Sequence, residues 1–216
     1  MIISKLKDKK EMLRMLEGSR KVFIMGCSEC ATTCKSGGEE EVRKMGEFLT
    51  KNNKEVLGKF VSEAPCIEAK AKLSIAKNRE KIKEADTILV LACGLGAQVI
   101  DISLRERKKV ISGTDTLFAG AVFGKAQKFV EFCSLCGECL LDKTATICPY
   151  TRCPKGLLNG PCGGSKDGKC EVDREKDCAW ILIYKKLKKQ GQEAKLLEII
   201  PPKDFSKKIK PFTLEL

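Results

Sequence analysis

The sequence predicts an α/β fold: an N-terminal parallel-sheet domain, Rossmann-like or flavodoxin-like, followed by a small cysteine-rich metal-binding domain. Short apolar runs alternate with helical patterns in the first half, which is typical of a parallel sheet covered by helices on both faces. Eight of the thirteen cysteines lie between Cys133 and Cys178, in a region poor in apolar residues. We expect an α/β domain at residues 1–115, a cysteine-rich domain at 116–200 and an extended tail at 201–216.

Helical periodicity and capping residues place the helices of the first domain. Ser4 can cap the first helix and Gly18 can end it. Ser36 and Glu39 have the spacing of a capping box and open the second helix. The Gly- and Thr-containing stretch 113–124 is predicted to be the domain boundary. The predicted helices cover residues 4–17, 36–50, 67–84 and 97–107, and the predicted strands cover 21–25, 56–61, 87–92 and 108–112.

An amphipathic helix is predicted over residues 179–189, near the end of the cysteine-rich half. Its apolar positions fall on one face at helical spacing, with lysines on the other face. These apolar positions are Trp180, Ile183, Tyr184 and Leu187. We expect this face to cover the metal-binding core rather than to lie on a membrane surface.

Thirteen cysteines and the complete lack of histidine indicate all-thiolate metal sites, with iron–sulfur clusters as the first interpretation and zinc as the second. The charged first residues do not form a secretory signal, and no apolar run reaches the roughly 18 residues that a membrane span needs. We therefore expect a cytoplasmic protein without membrane insertion. In a reducing compartment, clustered cysteines are more often metal ligands than disulfides, although a disulfide framework is the alternative.

Five cysteines of the first domain follow its predicted strands. Cys27 comes directly after the first strand, Cys66 after the second and Cys93 after the third. Because the carboxyl ends of parallel strands lie at one edge of the sheet, we expect these cysteines to gather there with Cys30 and Cys34. Such a set favours a metal cluster with one cysteine spare. The alternative is that Cys66 or Cys93 is simply a small buried side chain.

The same edge offers a second, weaker interpretation, a phosphate site. Cys93-Gly-Leu-Gly96 opens a helix after a strand, so backbone donors can face the crevice. However, the third glycine and the ribose-binding acid of a dinucleotide fingerprint are missing. A lone GxG is a weak indication of nucleotide binding.

The second half opens with ferredoxin-like cysteine spacing. Cys133, Cys136 and Cys139 form C-x2-C-x2-C, and Cys148 follows with Pro149 directly after it. Two-residue intervals let a curled backbone present three sulfurs to one cluster. We predict a [4Fe–4S] site here, with zinc as the alternative metal.

Four later cysteines are separated by longer gaps, which turn residues such as Asn159-Gly160-Pro161 can close. They are Cys153, Cys162, Cys170 and Cys178. Either an iron–sulfur cluster or a structural zinc ion would stabilise this region. The alternative is a glycine-rich loop with incidental cysteines. In total we expect two or three [4Fe–4S] clusters, with Zn²⁺ in place of one as the alternative.

The chain is basic, with 41 Lys and Arg against 29 Asp and Glu, a formal net charge of +12. Nucleic-acid binding is disfavoured because aromatic residues are few and do not alternate with the basic ones. Metal-bound thiolates would also offset part of the positive charge. An acidic electron donor such as a small ferredoxin is the expected partner, rather than nucleic acid.

The cysteine-rich half carries a family resemblance. The run CPKGLLNGPCGGSKDGKCEV, followed by Cys178-Ala-Trp180 and Tyr184, resembles the methylenetetrahydrofolate reductase C-terminal family, with NGPCGG as its most specific element. The N-terminal GCSECATTC and SGGEEEV, and then LACGLGAQ, resemble the small, MetV-type subunit of the anaerobic two-subunit reductase. The resemblance extends over nearly the whole chain.

This resemblance implies an accessory subunit rather than a complete enzyme. In the family, a flavin-containing TIM-barrel subunit reduces 5,10-methylenetetrahydrofolate to 5-methyltetrahydrofolate, and the cysteine-rich subunit is similar to an iron–sulfur module that delivers electrons to it. The sequence is consistent with an accessory subunit, because it contains no histidine, no nucleophile beside a base and no complete dinucleotide fingerprint. The alternatives are a zinc-stabilised scaffold subunit without a redox role, and a basic nucleic-acid-binding module.

Overall fold

The computed structural model of the protein divides into two compact units, Met1–Phe118 and Ala119–Leu216. The division falls inside a strand that begins in the first unit and ends in the second. The residues that the structure describes are 1–105, 107–124, 127–208, 210–211 and 213–214. Residues 209, 212, 215 and 216 of the predicted tail, and Glu106 in the predicted helix 97–107, lie outside this description.

The first unit is built on a sheet of four parallel strands, which confirms the predicted α/β class. The strands of this unit are β1 (Ile2–Leu6), β2 (Lys21–Cys27), β3 (Glu55–Ser62), β4 (Thr87–Leu91), β5 (Lys109–Ser112) and the first part of β6 (Thr114–Phe123). The helices are α1 (Lys9–Met15), α2 (Cys30–Thr33), α3 (Glu39–Lys51), α4 (Glu68–Lys77), α5 (Arg79–Glu84) and α6 (Gly94–Ser103). The parallel sheet has the strand order β3-β2-β4-β5, and a second sheet has the order β1-β6-β7, with β7 (Lys128–Cys133) in the second unit.

Helices cover both faces of the parallel sheet, because alternate residues of each central strand point to opposite sides. Phe23 and Met25 of β2 belong to one core cluster, which includes buried residues of α4, α5 and α6. Val22 and Ile24 belong to the other, which includes buried residues of α1 and α3. All four side chains are fully buried. The unbroken apolar runs that predicted β2 and β4 are therefore explained by burial on two sides.

The start of the chain corrects the predicted helix over residues 4–17. Residues 2–6 form β1, and α1 begins only at Lys9, with the Asp8 side chain accepting a hydrogen bond from the Lys10 N–H at 2.8 Å. Ser4 is therefore not a helix cap. Its buried hydroxyl lies 2.8 Å from that of Ser36, and the two share a hydrogen bond.

Ser36 is not the cap of α3 either. The cap is Gly38, whose N–H donates to the Glu41 carboxylate at 3.1 Å, which is the returning half of a capping box displaced by two residues from the predicted one. The Ser36 hydroxyl instead bonds to the Ala31 carbonyl at 3.3 Å. The helix itself ends at Lys51, close to the predicted end.

One further helix prediction needs correction. The predicted helix over 67–84 is two helices that meet at Asn78, whose side-chain amide donates to the Ser74 carbonyl at 2.9 Å.

The stretch 113–124, predicted to be the domain boundary, contains the division between the two units. Most of it forms strand β6, which pairs antiparallel with β7 and has Gly120 within the strand ladder.

The second unit has few regular elements and a small core. They are the end of β6, β7, α7 (Pro149–Arg152), α8 (Ala179–Lys189) and two 3-10 helices at Glu193–Leu197 and Phe205–Lys208. Helix α8 has the predicted bounds. Trp180, Ile183 and Leu187 are buried on its inner face, whereas Tyr184 is 46% exposed. No helix among the described residues is long and apolar enough to cross a membrane.

Candidate metal centres

The carboxyl edge of the parallel sheet gathers the five cysteines of the first unit. Cys27 is the last residue of β2 and pairs in register with Ser62 at the end of β3. Cys93 follows β4 directly and caps α6, while Cys30 begins α2 and Cys34 caps its end. The fifth, Cys66, lies between β3 and α4. The cysteines thus occupy the chain positions at this edge that the topological argument uses, and their gathering as ligands stays a prediction.

Three of the five thiols have a raised pKa. Burial is the main cause, and it raises the pKa of the Cys27, Cys34 and Cys66 thiols above the ordinary value. Repulsion from negative charge at Cys30 and at Cys93 raises the pKa of each of the three further, so the five thiols interact electrostatically. A cation at this edge would reverse both effects, because it stabilises the thiolate form. The donor set therefore fits a thiophilic metal centre.

Backbone N–H groups donate hydrogen bonds to the sulfurs of Cys27 and Cys30. The N–H groups of Glu29 and Ala31 bond to the Cys27 sulfur and oppose the effect of burial on its pKa. The Ile2 N–H of β1 donates to the Cys30 Sγ at 3.5 Å. These donors are of the kind that steady metal-bound thiolates.

Cys34 is engaged by β1 instead. Its thiol donates to the Ile2 carbonyl at 3.8 Å, and the backbone N–H and hydroxyl of Ser4 both bond to its sulfur. Three contacts to one strand turn this side chain toward β1. Of the five cysteines, Cys34 is thus the best placed to support the site without being a ligand.

The GxG at the start of α6 has a packing role in this fold. The Gly94 N–H donates to the Thr116 hydroxyl at 2.7 Å, so this helix-terminal donor is already bonded within the protein. A Cβ on Gly96 would lie 3.1 Å from Pro65 and 3.2 Å from Ala92, closer than ordinary contact. The two glycines allow close packing, which is a sufficient reason for the motif without a bound phosphate.

The ferredoxin-like set lies where β7 ends. Cys133 is the last residue of β7, and each two-residue interval that follows contains a left-handed residue, Leu135 at φ 54° and Gly137 at φ 79°. These conformations curl the chain tightly between successive cysteines. Cys148 caps α7, with Pro149 at the first helical position.

The C-terminal segment folds against this cysteine loop. The Lys203 ammonium donates to the Glu138 carbonyl at 2.9 Å and lies 5.2 Å from the centroid of the Tyr150 ring. Lys207 forms an ion pair with the Glu138 carboxylate, and Lys208 donates to the Leu135 carbonyl. The predicted extended tail therefore contains a short 3-10 helix at Phe205–Lys208, and Lys203, Lys207 and Lys208 bind this part of the tail to the loop.

These contacts act on Cys136. Burial raises the pKa of its thiol, but the Glu138 N–H, the Ser134 hydroxyl and the Lys203 ammonium outweigh burial, so that the pKa of Cys136 falls below the ordinary value. Glu138 itself has a lowered pKa, first because of the Lys207 ammonium. The loop thus makes its middle cysteine easier to deprotonate, and a metal ligand must be deprotonated.

The remaining four cysteines line one small cavity of about 20 Å³. They are Cys153, Cys162, Cys170 and Cys178. Trp180 forms part of the same wall, and the Cys162 thiol donates to the Glu171 carboxylate at 3.4 Å. Cysteines separated by long gaps in sequence are therefore neighbours in space.

No group of three or more Cys, Asp or Glu side chains within the described part of the chain stands ready-made around one ion position. Protonated thiols gain nothing by closer approach, whereas ligation removes their protons and draws the sulfurs together. The three sets of thiols offer the donor chemistry of iron–sulfur or zinc centres, and the last four cysteines share one cavity.

The fold and these sets define a cysteine-rich α/β protein with three candidate all-thiolate centres. Residues 111–206 match the family model described as methylene-tetrahydrofolate reductase C terminal. All eight cysteines from Cys133 to Cys178 fall in the matched range. No curated protein and no solved structure matches the chain.

The family match confirms the resemblance carried by the NGPCGG run, whereas the N-terminal resemblance concerns residues outside the matched range and stays a prediction. Sequence reasoning missed the tail lysines and Ser4 as neighbours of the cysteines. The two prolines before Lys203 were the available signal for an ordered tail. For Ser4 the alternation of buried and exposed residues in β1 could have indicated a strand.

Proposed function

We propose that this chain is the iron–sulfur electron-transfer subunit of a methylenetetrahydrofolate reductase. In this role it delivers electrons to a flavin-containing TIM-barrel subunit that reduces 5,10-methylenetetrahydrofolate to 5-methyltetrahydrofolate. The carrying observation is a ferredoxin-spaced cysteine loop within the region that matches the reductase C-terminal family model. When bound, [4Fe–4S] clusters supply one-electron redox chemistry.

Two of the cysteine sets are assigned to this role. Cys133, Cys136, Cys139 and Cys148 would hold one cluster. At the sheet edge, Cys27, Cys30, Cys66 and Cys93 would hold another, with Cys34 kept outside the ligand set by its contacts to β1. The protein's part is to collect thiolates, to keep them partly shielded from water and to surround them with hydrogen-bond donors.

The partners follow from the same assignment. A ferredoxin-like donor of negative charge suits a chain with a formal charge of +12, and the flavin subunit is the acceptor. The chain needs no catalytic residue of its own for this task, because the substrate reaction takes place on the flavin subunit.

The test is anaerobic purification together with the flavin subunit, followed by iron, zinc and sulfide analysis and a visible spectrum. We expect a brown complex with two clusters per chain. Cys136→Ser and Cys30→Ser should each remove the iron of one cluster and slow flavin reduction. Cys34→Ser is the matched control and should keep both clusters.

A colourless complex that contains zinc and no iron would contradict the proposal. That result would support a scaffold subunit of the same reductase, since zinc thiolate does not absorb visible light and carries no electrons. Loss of iron in Cys34→Ser together with full iron in Cys30→Ser would instead contradict the ligand assignment at the sheet edge.

A further inference from the structure

We propose that Asn159 is a positioning residue for the predicted centre of the ferredoxin-like loop. Its side chain clamps the C-terminal segment, and this clamp keeps the Lys203 ammonium against the loop. The inference rests on the proposed function for the existence of a cluster at the loop, whereas the clamp itself can be tested in a chain without iron.

Two hydrogen bonds join the Asn159 side chain to the backbone of one residue of the tail. Its amide nitrogen donates to the Ile200 carbonyl at 2.9 Å, and the Ile200 N–H donates to its amide oxygen at 2.7 Å. The side chains of asparagine and glutamine present a donor and an acceptor side by side, as a peptide group does. The reciprocal pair therefore fixes both the position and the direction of the tail at Ile200.

Ile200 depends on this pair of bonds. It lies in the stretch between the two 3-10 helices and is 7% exposed, so its backbone groups need partners within the protein. Pro201 and Pro202 follow it, and proline has no backbone N–H, so the stretch is unsuited to a regular ladder of hydrogen bonds. The Asn159 amide supplies the bonds that a neighbouring strand would otherwise supply.

The other side of the clamp is held to helix α8. The Leu157 carbonyl, two residues before Asn159, accepts from the indole N–H of Trp180 at 2.9 Å, and Trp180 is 4% exposed. Gly160, directly after Asn159, has φ 105°, a left-handed conformation that turns the chain sharply. The clamp thus connects the tail to the small core of the second unit.

Three residues beyond the clamp, Lys203 lies against the cysteine loop. Its side chain is 3% exposed, and its ammonium donates to the Glu138 carbonyl at 2.9 Å. Glu138 lies between Cys136 and Cys139 in the sequence. The two prolines before Lys203 have a restricted φ, so they form a stiff spacer. A displacement of Ile200 is therefore transmitted to Lys203 and not absorbed between them.

Other contacts also hold the tail ahead of Lys203. Lys195 donates to the Asp142 carbonyl at 2.8 Å, and the Glu198 carboxylate lies 3.7 Å from the Lys143 ammonium. In both contacts the tail contributes a long, exposed side chain and not its backbone, and exposed ion pairs contribute little to stability. The bonds to Asn159 hold the tail backbone itself, so they set the path of the chain toward Lys203.

Loss of the clamp should act on the cluster through Lys203. A positive charge held beside a cluster stabilises the reduced state, which is the more negative one. When the tail is released, the ammonium moves into water and its charge is screened, so the reduction potential becomes more negative. A residue that only supports folding would lower stability and leave the potential unchanged.

The experiment compares Asn159→Ala, Lys203→Met and the double variant in the full chain, purified anaerobically with the flavin subunit. Midpoint potentials are measured by potentiometric titration followed by EPR. We expect Asn159→Ala to make one potential more negative. The double variant should have the potential of Lys203→Met alone, because the two residues act through one contact and their effects are not additive.

Asn52→Ala is the matched control. The Asn52 amide also donates to a backbone carbonyl, that of Phe48 at 2.8 Å, but it lies at the end of α3 in the first unit. This variant loses the same side chain and the same kind of hydrogen bond. Its midpoint potentials should equal those of the unmodified chain.

Three measurements on the isolated full chain need no cluster. The Ile200 amide should exchange its hydrogen about tenfold faster or more in Asn159→Ala, as expected for the loss of two ordinary hydrogen bonds. Trypsin should cleave after Lys203 faster in the same variant, because the lysine side chain is no longer buried. In the unmodified chain, low urea should open the Ile200 amide and the Lys203 cleavage site together, so a folding defect of Asn159→Ala does not remove the test.

The outcomes separate this inference from the proposed function. An unchanged potential in Asn159→Ala, or additive shifts in the double variant, would overturn the positioning role. Faster exchange at Ile200 with Lys203 still protected from trypsin would overturn it as well, and so would separate opening of the two sites in urea. Release of Ile200 and Lys203 together in a chain that never contains iron would overturn the electron-transfer role and uphold the clamp.

Discussion

Lys203 is the residue that most directly connects the tail to a predicted cluster. Its side chain is only 3% exposed, and its ammonium is near enough to the Cys136 sulfur to lower the pKa of that thiol. A buried positive charge beside a cluster stabilises the reduced state, which is the more negative one. Lys203 should therefore raise the reduction potential of the centre at the end of β7.

Lys203→Met tests this role, because methionine keeps most of the side-chain volume and removes the charge. We expect the midpoint potential of one cluster to become more negative, as measured by potentiometric titration followed by EPR. Lys207→Met is the matched control, since Lys207 pairs with Glu138 but is half exposed and better screened by solvent. Equal shifts in the two variants, or none in Lys203→Met, would contradict the assignment.

At the scale of single elements, the loop between β2 and α3 brings the cysteines of the first unit together through close backbone packing. The Cys27 N–H donates to the Gly37 carbonyl at 2.9 Å. A Cβ on Gly37 would lie 1.7 Å from the Leu91 carbonyl oxygen at the end of β4, and one on Gly26 would lie 2.3 Å from the Gly37 oxygen. Glycine at both positions is thus a condition for the loop to lie on the sheet edge.

Gly37→Ala should therefore displace this loop. We expect a loss of stability of about 1–3 kcal/mol, the usual range for inserting a methyl group into a closely packed place, and loss of the iron at the sheet edge. Urea unfolding and iron analysis measure the two effects. Gly18→Ala is the control, because a Cβ added to Gly18 would have no other atom within 4 Å. That variant is destabilised only by the unfavourable backbone conformation at φ 75°. Full iron content in Gly37→Ala would show that the loop does not hold the site.

The elements that the sequence predicted well are those whose signal is local. Strands β2 and β4 are buried on both faces, so their apolar runs are unbroken, and α8 has a clear apolar face. The helix predicted over residues 4–17 was wrong at its start because a serine before a charged segment resembles a helix cap. The hydrogen-bond partner of Ser4 is Ser36, which is 32 residues away and cannot be identified from the local sequence. Strand β6 was not predicted from the sequence, because its stretch contains glycine and threonine, which are common at boundaries and in loops as well as in strands.

The candidate sites divide in the same way. Topology and spacing were enough to propose two cysteine groups from the sequence, at the sheet edge and at C-x2-C-x2-C, and their role as ligands stays a prediction. The positions of Ser4 beside Cys34 and of Lys203 beside Cys136 could not be predicted, because they depend on contacts between distant segments. The size of the third cavity is likewise a property of the folded chain alone.

For the whole molecule, the dominant physical feature is positive charge. The basic residues exceed the acidic ones by 41 − 29 = 12. A few lysines form exposed ion pairs one helical turn apart, such as Lys44 with Glu40 and Lys72 with Glu68, and each such pair contributes little to stability. The excess of unpaired charge remains available to attract an acidic electron donor over long distances.

Reduction of this protein by a ferredoxin should accordingly slow as ionic strength rises. Salt screens attraction between exposed charges over a Debye length of about 10 Å at 0.1 M, so the loss should appear in the second-order association rate. Stopped-flow reduction at low and high salt, with the flavin subunit bound, measures it. The first-order transfer from this chain to the flavin is the internal control, because it takes place within a complex already formed and should change little. If the second-order rate does not respond to salt, the excess positive charge is a compositional feature of the chain and not a docking surface. If both steps slow together, salt acts on the complex itself, and the steering argument fails for a different reason.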